Sequence, residues 1–459
     1  MADVVDLLLM AASREPYRRA AISHYHSLLE RYDVAEFAQE LQDEMRSGGA
    51  IFGERLLCPF LRPHFIGREQ LLLMQDAVRS ITGACSALCG VMLESEEVQS
   101  DLGITETEKR LIAVDPGYPE FSVSSRLDSF LSGGSLQFVE YNAETPAGIS
   151  YSDVMGQSFM KTRIMHEFMR DYPCSAMYAS DRLFEALMET YAAWGGKDKP
   201  VIGIIDYEGL PTRHEFELCR KFFTDKGCQC LIADPRRLEY KDGKLMFEGQ
   251  VINLVYKRLL VNEYLEKESE CQAVWEAYKN HAACFVNNFR CKFFHKKAIF
   301  ALLTDPKYQK YFTAHQIYSI FTHIPWTRLL RDVKTAGPKG EEIELMAWAR
   351  QHKDNLILKP NDDYGGHGIY VGWELSQSDW ENALQETLPA SYLLQTKVNV
   401  AHENYPSWDG EKVGFGEYAV DLDPYIFKGR AAGFMTRLSG TALCNVTSGG
   451  GATATIILD

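Results

Sequence analysis

The stretch Leu356-Ile-Leu-Lys-Pro-Asn-Asp-Asp-Tyr-Gly-Gly-His-Gly-Ile-Tyr-Val371 limits this chain more tightly than any other, because it reads as a strand, a glycine hairpin and a second strand. Leu356 to Leu358 is the short apolar run of a buried strand, and it delivers Lys359 at its end, where a fixed ammonium reaches a phosphate as a point charge. Pro360 then stops the ladder. Gly365, Gly366 and Gly368 lack Cβ, so they can take positive φ and let backbone N–H groups form a concave anion nest. Asp363 lies four residues after Lys359, and a carboxylate there would bring Mg2+ to the same phosphates. A glycine-rich hairpin is also the makeup of a plain tight turn, so the rest of the chain has to decide between the two.

At 459 residues the chain is too long for one hydrophobic core, which implies two or three packed subdomains. The formal charge of -15 argues against a nucleic-acid backbone as partner, since that needs a basic face and none is visible. The most apolar N-terminal run, Val4 to Ala12, is too short for a membrane span and follows Asp3 rather than a basic region, so no membrane segment and no signal peptide are expected. Eleven cysteines with irregular spacing (Cys85 and Cys89, Cys228 and Cys230, the rest scattered) form no disulfide framework. They imply reduced thiols acting as small buried hydrophobes in a cytoplasmic setting. The twelve histidines show no metal-ligand spacing, and the pair His24 and His26 sits in a polar amphipathic stretch, so no zinc site is proposed.

Taken in order, residues 1–115 read as a helical region. Tyr17 to Met45 carries apolar residues at helical spacing and is closed by Ser47-Gly48-Gly49; Arg68 to Met92 has the same character. The segment 116–195 changes to short alternating stretches. In a strand, residues two apart share a face, so Glu140 and Asn142 point together, with Phe138 on their side and Val139 and Tyr141 opposite. Two oxygen ligands side by side suit Mg2+. Arg126 and Asp128 repeat the pairing on what reads as a neighbouring strand. Either pair alone is equally the polar face of a sheet edge.

Gly195 to Pro200 marks a boundary, and 196–260 reads as a small inserted α/β unit with strands Val201 to Ile205, Cys228 to Ala233 and Val251 to Tyr256 around a helix. Its last strand ends at Arg258, whose planar fork suits a substrate carboxylate. In 261–459, Lys292, Lys296 and Lys297 fall on a short helix, where lysines are ordinarily solvated. After the glycine hairpin come a strand, Ser391 to Val398, a long polar and aromatic loop, Ala401 to Gly414, and strands over Phe415 to Leu422 and Ala431 to Leu438. The closing run from Thr447, rich in glycine and alanine, reads as a second mobile loop.

Together these stretches resemble the ATP-grasp ligases, specifically the circularly permuted branch of eukaryotic-type glutathione synthetases and glutathionylspermidine synthetases. In most ATP-grasp enzymes the E-x-N motif follows the lysine and the glycine loop; here Glu140-Tyr-Asn142 precedes both. The likeness runs from about Arg126 to Asp459. It implies an α/β (α+β) ATP-grasp core, circularly permuted, with a helical N-terminal region and a small inserted α/β substrate domain.

On that resemblance Glu140, Asn142 and Asp363 bind Mg2+, with Asp128 close by. Lys359 and one of Lys296 or Lys297 hold ATP phosphates, and Gly365, Gly366 and Gly368 close over them. Gln395, Lys397 and Val398 match the strand that edges the adenine, and Glu417 the ribose contact. Arg126, Arg258 and Arg437 fall where substrate carboxylates are held, with Arg126 and Lys359 as the catalytic cations. Gly450 and Gly451 lie in a run, Gly449 to Ala454, similar to the family's alanine-rich lid. Two departures stand out: Ser439 where glutathione synthetases carry a lysine, and Ser448 where they carry an aspartate. The resemblance thus leaves the acid and the amine unnamed.

The activity implied is amide formation between a small-molecule acid and an amine through an acyl phosphate, with release of ADP and phosphate. The rivals are a carboxylate kinase that stops at phosphoryl transfer and an inactive MgATP-binding protein. Related ligases often form homodimers, which is analogy alone.

Overall fold

The R-x-D and E-x-N stretches are neighbouring antiparallel strands, Ser124–Ser132 and Ser135–Asn142, joined by the two-residue loop Gly133-Gly134. Both loop glycines have positive φ, +56° and +85°, as a hairpin turn matched to strand twist requires. The register sets Arg126 opposite Asn142 and Asp128 opposite Glu140. A bulge follows: Asp128 pairs with Glu140 but Ser129 with Phe138, leaving Val139 extra. One extra residue exchanges the faces of everything before it. Leu136, Phe138 and Tyr141 therefore enter the core, while Val139, Glu140 and Asn142 face a cavity. The period-two expectation for Phe138 and Val139 is corrected by that bulge.

The computed structural model describes residues 2–363, 367–440 and 450–459. Its main sheet continues from Ser124–Ser132 to Val413–Phe427, then Arg430–Ser439, then Gly451–Thr453, all antiparallel. Ala401–Trp408, expected as loop, is a strand paired with the first half of Val413–Phe427. Its Pro406 disguised it, but proline is tolerated on an outer strand.

The described part of the closing glycine and alanine run is not a mobile loop either. After Gly451–Thr453, the strand Thr455–Leu458 is buried between His64–Gly67, parallel to it, and Cys174–Ala176, antiparallel. The N-terminal region is thus not purely helical, since it supplies one strand of this sheet. Smallness here serves packing: a Cβ on Gly451 would lie 2.7 Å from the Phe60 ring.

The two strands flanking the glycines pair as expected. Leu356–Pro360 pairs with Tyr370–Val371 and sits beside Tyr392–Thr396 and Thr327–Leu329 in an antiparallel sheet. The α/β unit is a parallel sheet in the order Cys284–Val286, Leu254–Lys257, Ile202–Ile205, Cys230–Ala233. Its first strand in that order comes from beyond residue 260. The two helices Ala2–Leu29 and Val34–Ser47 break at Asp33, which caps the second by accepting from Ala35 and Glu36 N–H. Arg68–Glu94 has the length and composition of a membrane span, but half of its apolar window is buried against the rest of the chain. All ten described cysteines are free and at least half-buried.

Candidate active site

The three sheets converge on one cavity of about 1080 Å3. Arg126, Asp128, Glu140 and Asn142 line it from the main sheet, and Arg258 from the end of a parallel strand. Lys359, Gln395, Lys397 and Val398 line it from the hairpin sheet, and Glu417 and Arg437 from the long strands. Segments more than 200 residues apart in the chain are therefore brought together.

At the hairpin end, Lys359 is buried (8% exposed) and donates to Gln395 Oε1 at 2.9 Å. Gln395 is itself held by the Thr327 hydroxyl at 3.1 Å. Burial pulls the Lys359 ammonium down to about 8, although the Glu140 carboxylate opposes the shift. Of the two candidate lysines, Lys297 reaches Glu140 Oε1 at 3.0 Å and the Asp363 carbonyl at 2.6 Å. Lys296 turns away, to Asp362 at 2.6 Å and Glu108 at 2.9 Å. Lys292 joins that buried group, to Asp362 at 2.7 Å and Glu144 at 2.9 Å. Burial alone would raise Asp362, but the two ammonium groups outweigh it and hold the carboxyl far below its usual range. None of these lysines is solvated as the helix pattern implied.

Ile357, Ile369, Val371, Trp373 and Val398 make an apolar wall, and the Lys397 ammonium stands 4.2 Å from the Trp373 ring centroid. A flat aromatic base fits such a wall. Gly368 has φ +67°, and a Cβ there would meet the Tyr392 hydroxyl at 2.7 Å. Gly365 and Gly366 lie outside the described residues. Gly450 accepts from Arg55 Nη2 at 3.0 Å, and Gly451 is sheet; neither lines the cavity.

At the other end the arginines are already partnered. Arg437 Nη2 meets Asp128 at 2.6 Å, Asp421 at 2.5 Å and Asp423 at 2.9 Å. Arg126 Nε meets Asp128 at 2.9 Å and Asp423 at 3.5 Å, and its Nη1 donates to the Ala147 carbonyl at 3.2 Å. Arg258 donates to the Pro146 carbonyl at 2.7 Å and faces Glu215 at 3.5 Å. Burial would raise Asp128, but Arg126 and Arg437 outweigh it and hold the carboxyl well below its usual range. Asp128 also accepts from Asn142 Nδ2 at 2.8 Å. Its oxygens are thus engaged by guanidinium and amide donors.

Sequence reasoning missed Asp421, Asp423, Asp206 and Trp373. Asp421 lies in cross-strand register with Arg437, a pairing visible only once the strands are aligned. Burial pushes the Asp421 and Asp423 carboxyls up from their ordinary range, Asp423 strongly, although the Arg437 guanidinium opposes the shift. Asp206, at the end of a parallel strand, is driven by burial up to about 7. Its position at a strand carboxyl end was the available signal.

Sheets, cavity and lining define a mixed α and β protein with a ligand cleft. No family model and no curated protein matches the sequence. Among solved structures, the chain is similar to a glutathione synthetase-like effector from Globodera pallida in its apo form, at 12% identity and TM-score 0.57. That match covers 92% of this chain and 96% of the other. A putative γ-glutamylcysteine synthetase from Methylobacillus flagellatus aligns more distantly, at 10% identity and TM-score 0.38, over 79% and 83% of the two chains. By the likeness to the first of these, the chain has a glutathione synthetase-like fold.

Proposed function

We propose that the protein is an ATP-dependent carboxylate–amine ligase of the circularly permuted ATP-grasp type. The observation that carries the reading is the meeting of Glu140 and Asn142 with Lys359 on the wall of one cavity. Glu140 and Asn142 offer hard oxygen donors from a single strand, beside the Lys297 and Lys359 ammonium groups, a donor set that fits Mg2+. Asp363 is the third proposed ligand. When bound, the ion supplies charge neutralisation for phosphate oxygens.

In this reading the adenine lies on the Trp373 wall and the triphosphate runs toward Lys359 and Lys297. Phosphate charge would restore the Lys359 ammonium that burial weakens. The substrate carboxylate oxygen attacks the γ-phosphorus and ADP leaves. The amine nitrogen then attacks the acyl carbon, phosphate leaves, and the nitrogen loses a proton. The protein supplies positioning and charge rather than a covalent group. Asp206 is placed to take a substrate ammonium or its proton.

The test is ADP release with MgATP against a matrix of acids and amines. Release that needs both partners supports ligation; release with acid alone indicates a carboxylate kinase; MgATP binding without release indicates an inactive nucleotide-binding protein.

A further inference from the structure

The arginine end of the cavity does not have the charge of a carboxylate receptor. Three guanidinium groups, Arg126, Arg258 and Arg437, stand among six carboxylates: Asp128, Asp206, Glu215, Glu263, Asp421 and Asp423. Arg437 alone has three within 2.9 Å. Whether or not Asp421 and Asp423 keep a proton between them, neither Arg126 nor Arg437 has positive charge left over. Asp421, a lining residue 3% exposed, has its Oδ1 buried without a hydrogen-bond partner. At the hairpin end Lys297 is paired with Glu140, but among the described residues Lys359 and Lys397 have no carboxylate within ion-pair distance.

We infer that the amine substrate is cationic and carries no carboxylate, and that Asp421 and Asp423 set this preference by neutralising the arginines. A carboxylate entering here would have to displace an aspartate from a buried guanidinium, leaving that aspartate charged and unpaired. An ammonium meets Asp421 Oδ1, an acceptor that is already desolvated and has no donor. The one carboxylate the site must handle is the one to be phosphorylated, and it belongs beside the lysines. This inference rests on the ligase reading for its chemistry but not for its test.

Glycine and glycinamide differ in the group at issue, since near neutrality the first is a zwitterion and the second a cation. Calorimetric titration of the nucleotide-free protein should give at least about tenfold tighter binding of glycinamide, equivalent to about 1.4 kcal/mol. Asp421→Asn, which leaves Arg437 with Asp128 and Asp423, should reduce that preference about tenfold, with an unchanged thermal melt as the folding control. Glycine binding as well as glycinamide in the unmodified protein, or no binding of either at tens of millimolar, overturns the inference. So does a folded Asp421→Asn protein with the preference intact. The ligase reading fails separately: preference for glycinamide without ADP release from any acid and amine pair defeats that reading and leaves this one standing.

Discussion

Replacing Lys359 by methionine should make the empty protein more stable while abolishing its response to nucleotide. The side chains are similar in length, so the exchange mainly removes a buried charge. Burial lowers the ammonium from its ordinary 10.5 to about 8, and at about 1.4 kcal/mol per pKa unit the folded state bears a cost of roughly 3 kcal/mol at neutral pH. Loss of the bond to Gln395 Oε1 offsets roughly 1–2 kcal/mol of that gain, because the amide oxygen stays buried. A net rise of about 1–2 kcal/mol remains, or roughly 1–2 °C in Tm for a chain of this size. Saturating MgATP, at about 100 times Kd, should add about 2.7 kcal/mol to the unmodified protein and nothing to the variant, so the order of melting reverses. The pH dependence has a fixed sign. Between about 8 and 10.5 the unfolded lysine holds a proton that the folded one has lost, so the unmodified protein gains stability as pH rises through that window. The variant's advantage should fade there. A variant that melts lower without nucleotide refutes the electrostatic cost, and one that still responds to MgATP refutes the phosphate role.

Three further outcomes follow from the geometry. Gly451→Val should lower stability by about 1–3 kcal/mol, through overpacking against Phe60; an unchanged melting temperature would return this residue to a mobile lid. Lys297→Met should weaken MgATP binding at least about tenfold with little change in melting, whereas Lys296→Met should cost about 3–5 kcal/mol of stability by stranding Asp362 and Glu108; titration calorimetry and thermal melts on both variants separate the roles. Asp206, raised by burial to about 7 from an ordinary 3.8, retains in the folded state a proton that the unfolded chain gives up, so stability falls as pH rises from 4 to 7. Asp206→Asn should escape about 1–3 kcal/mol of that fall, and melting curves that stay parallel across the range would contradict it.

Local rules carried much of the fold because the relevant signals are short. The Leu356–Val371 hairpin, the paired R-x-D and E-x-N strands and the parallel strands of the α/β unit each depend on a few neighbouring residues, and each appears in the structure. The misreadings arose where one residue type serves two ends. Glycine and alanine near Gly451 signalled mobility but provide close packing, and Pro406 signalled a loop but sits in an outer strand. The bulge at Val139 has no composition of its own; the neighbouring strand imposes it.

Charges divide the same way, and the division bears on function. A motif names the cations, but only the fold names their partners: Asp128 reaches Arg437 from 309 positions away, and Asp421 from 16. Ordinary acids in the sequence become counter-charges through burial, since a guanidinium inside a protein is retained only when matched. Where the charge is matched, as for Arg437 among three carboxylates, an arriving anion finds little field to enter. Where matching is incomplete, as for Lys359 with only uncharged partners, the Gln395 amide and the Val139 carbonyl, the fold carries a cost that a triphosphate would relieve. The cavity is thus polarised: anions are drawn to the lysine end and cations to the arginine end, and a ligase joining an activated acid to an ammonium-bearing partner needs the two ends to differ in that sense.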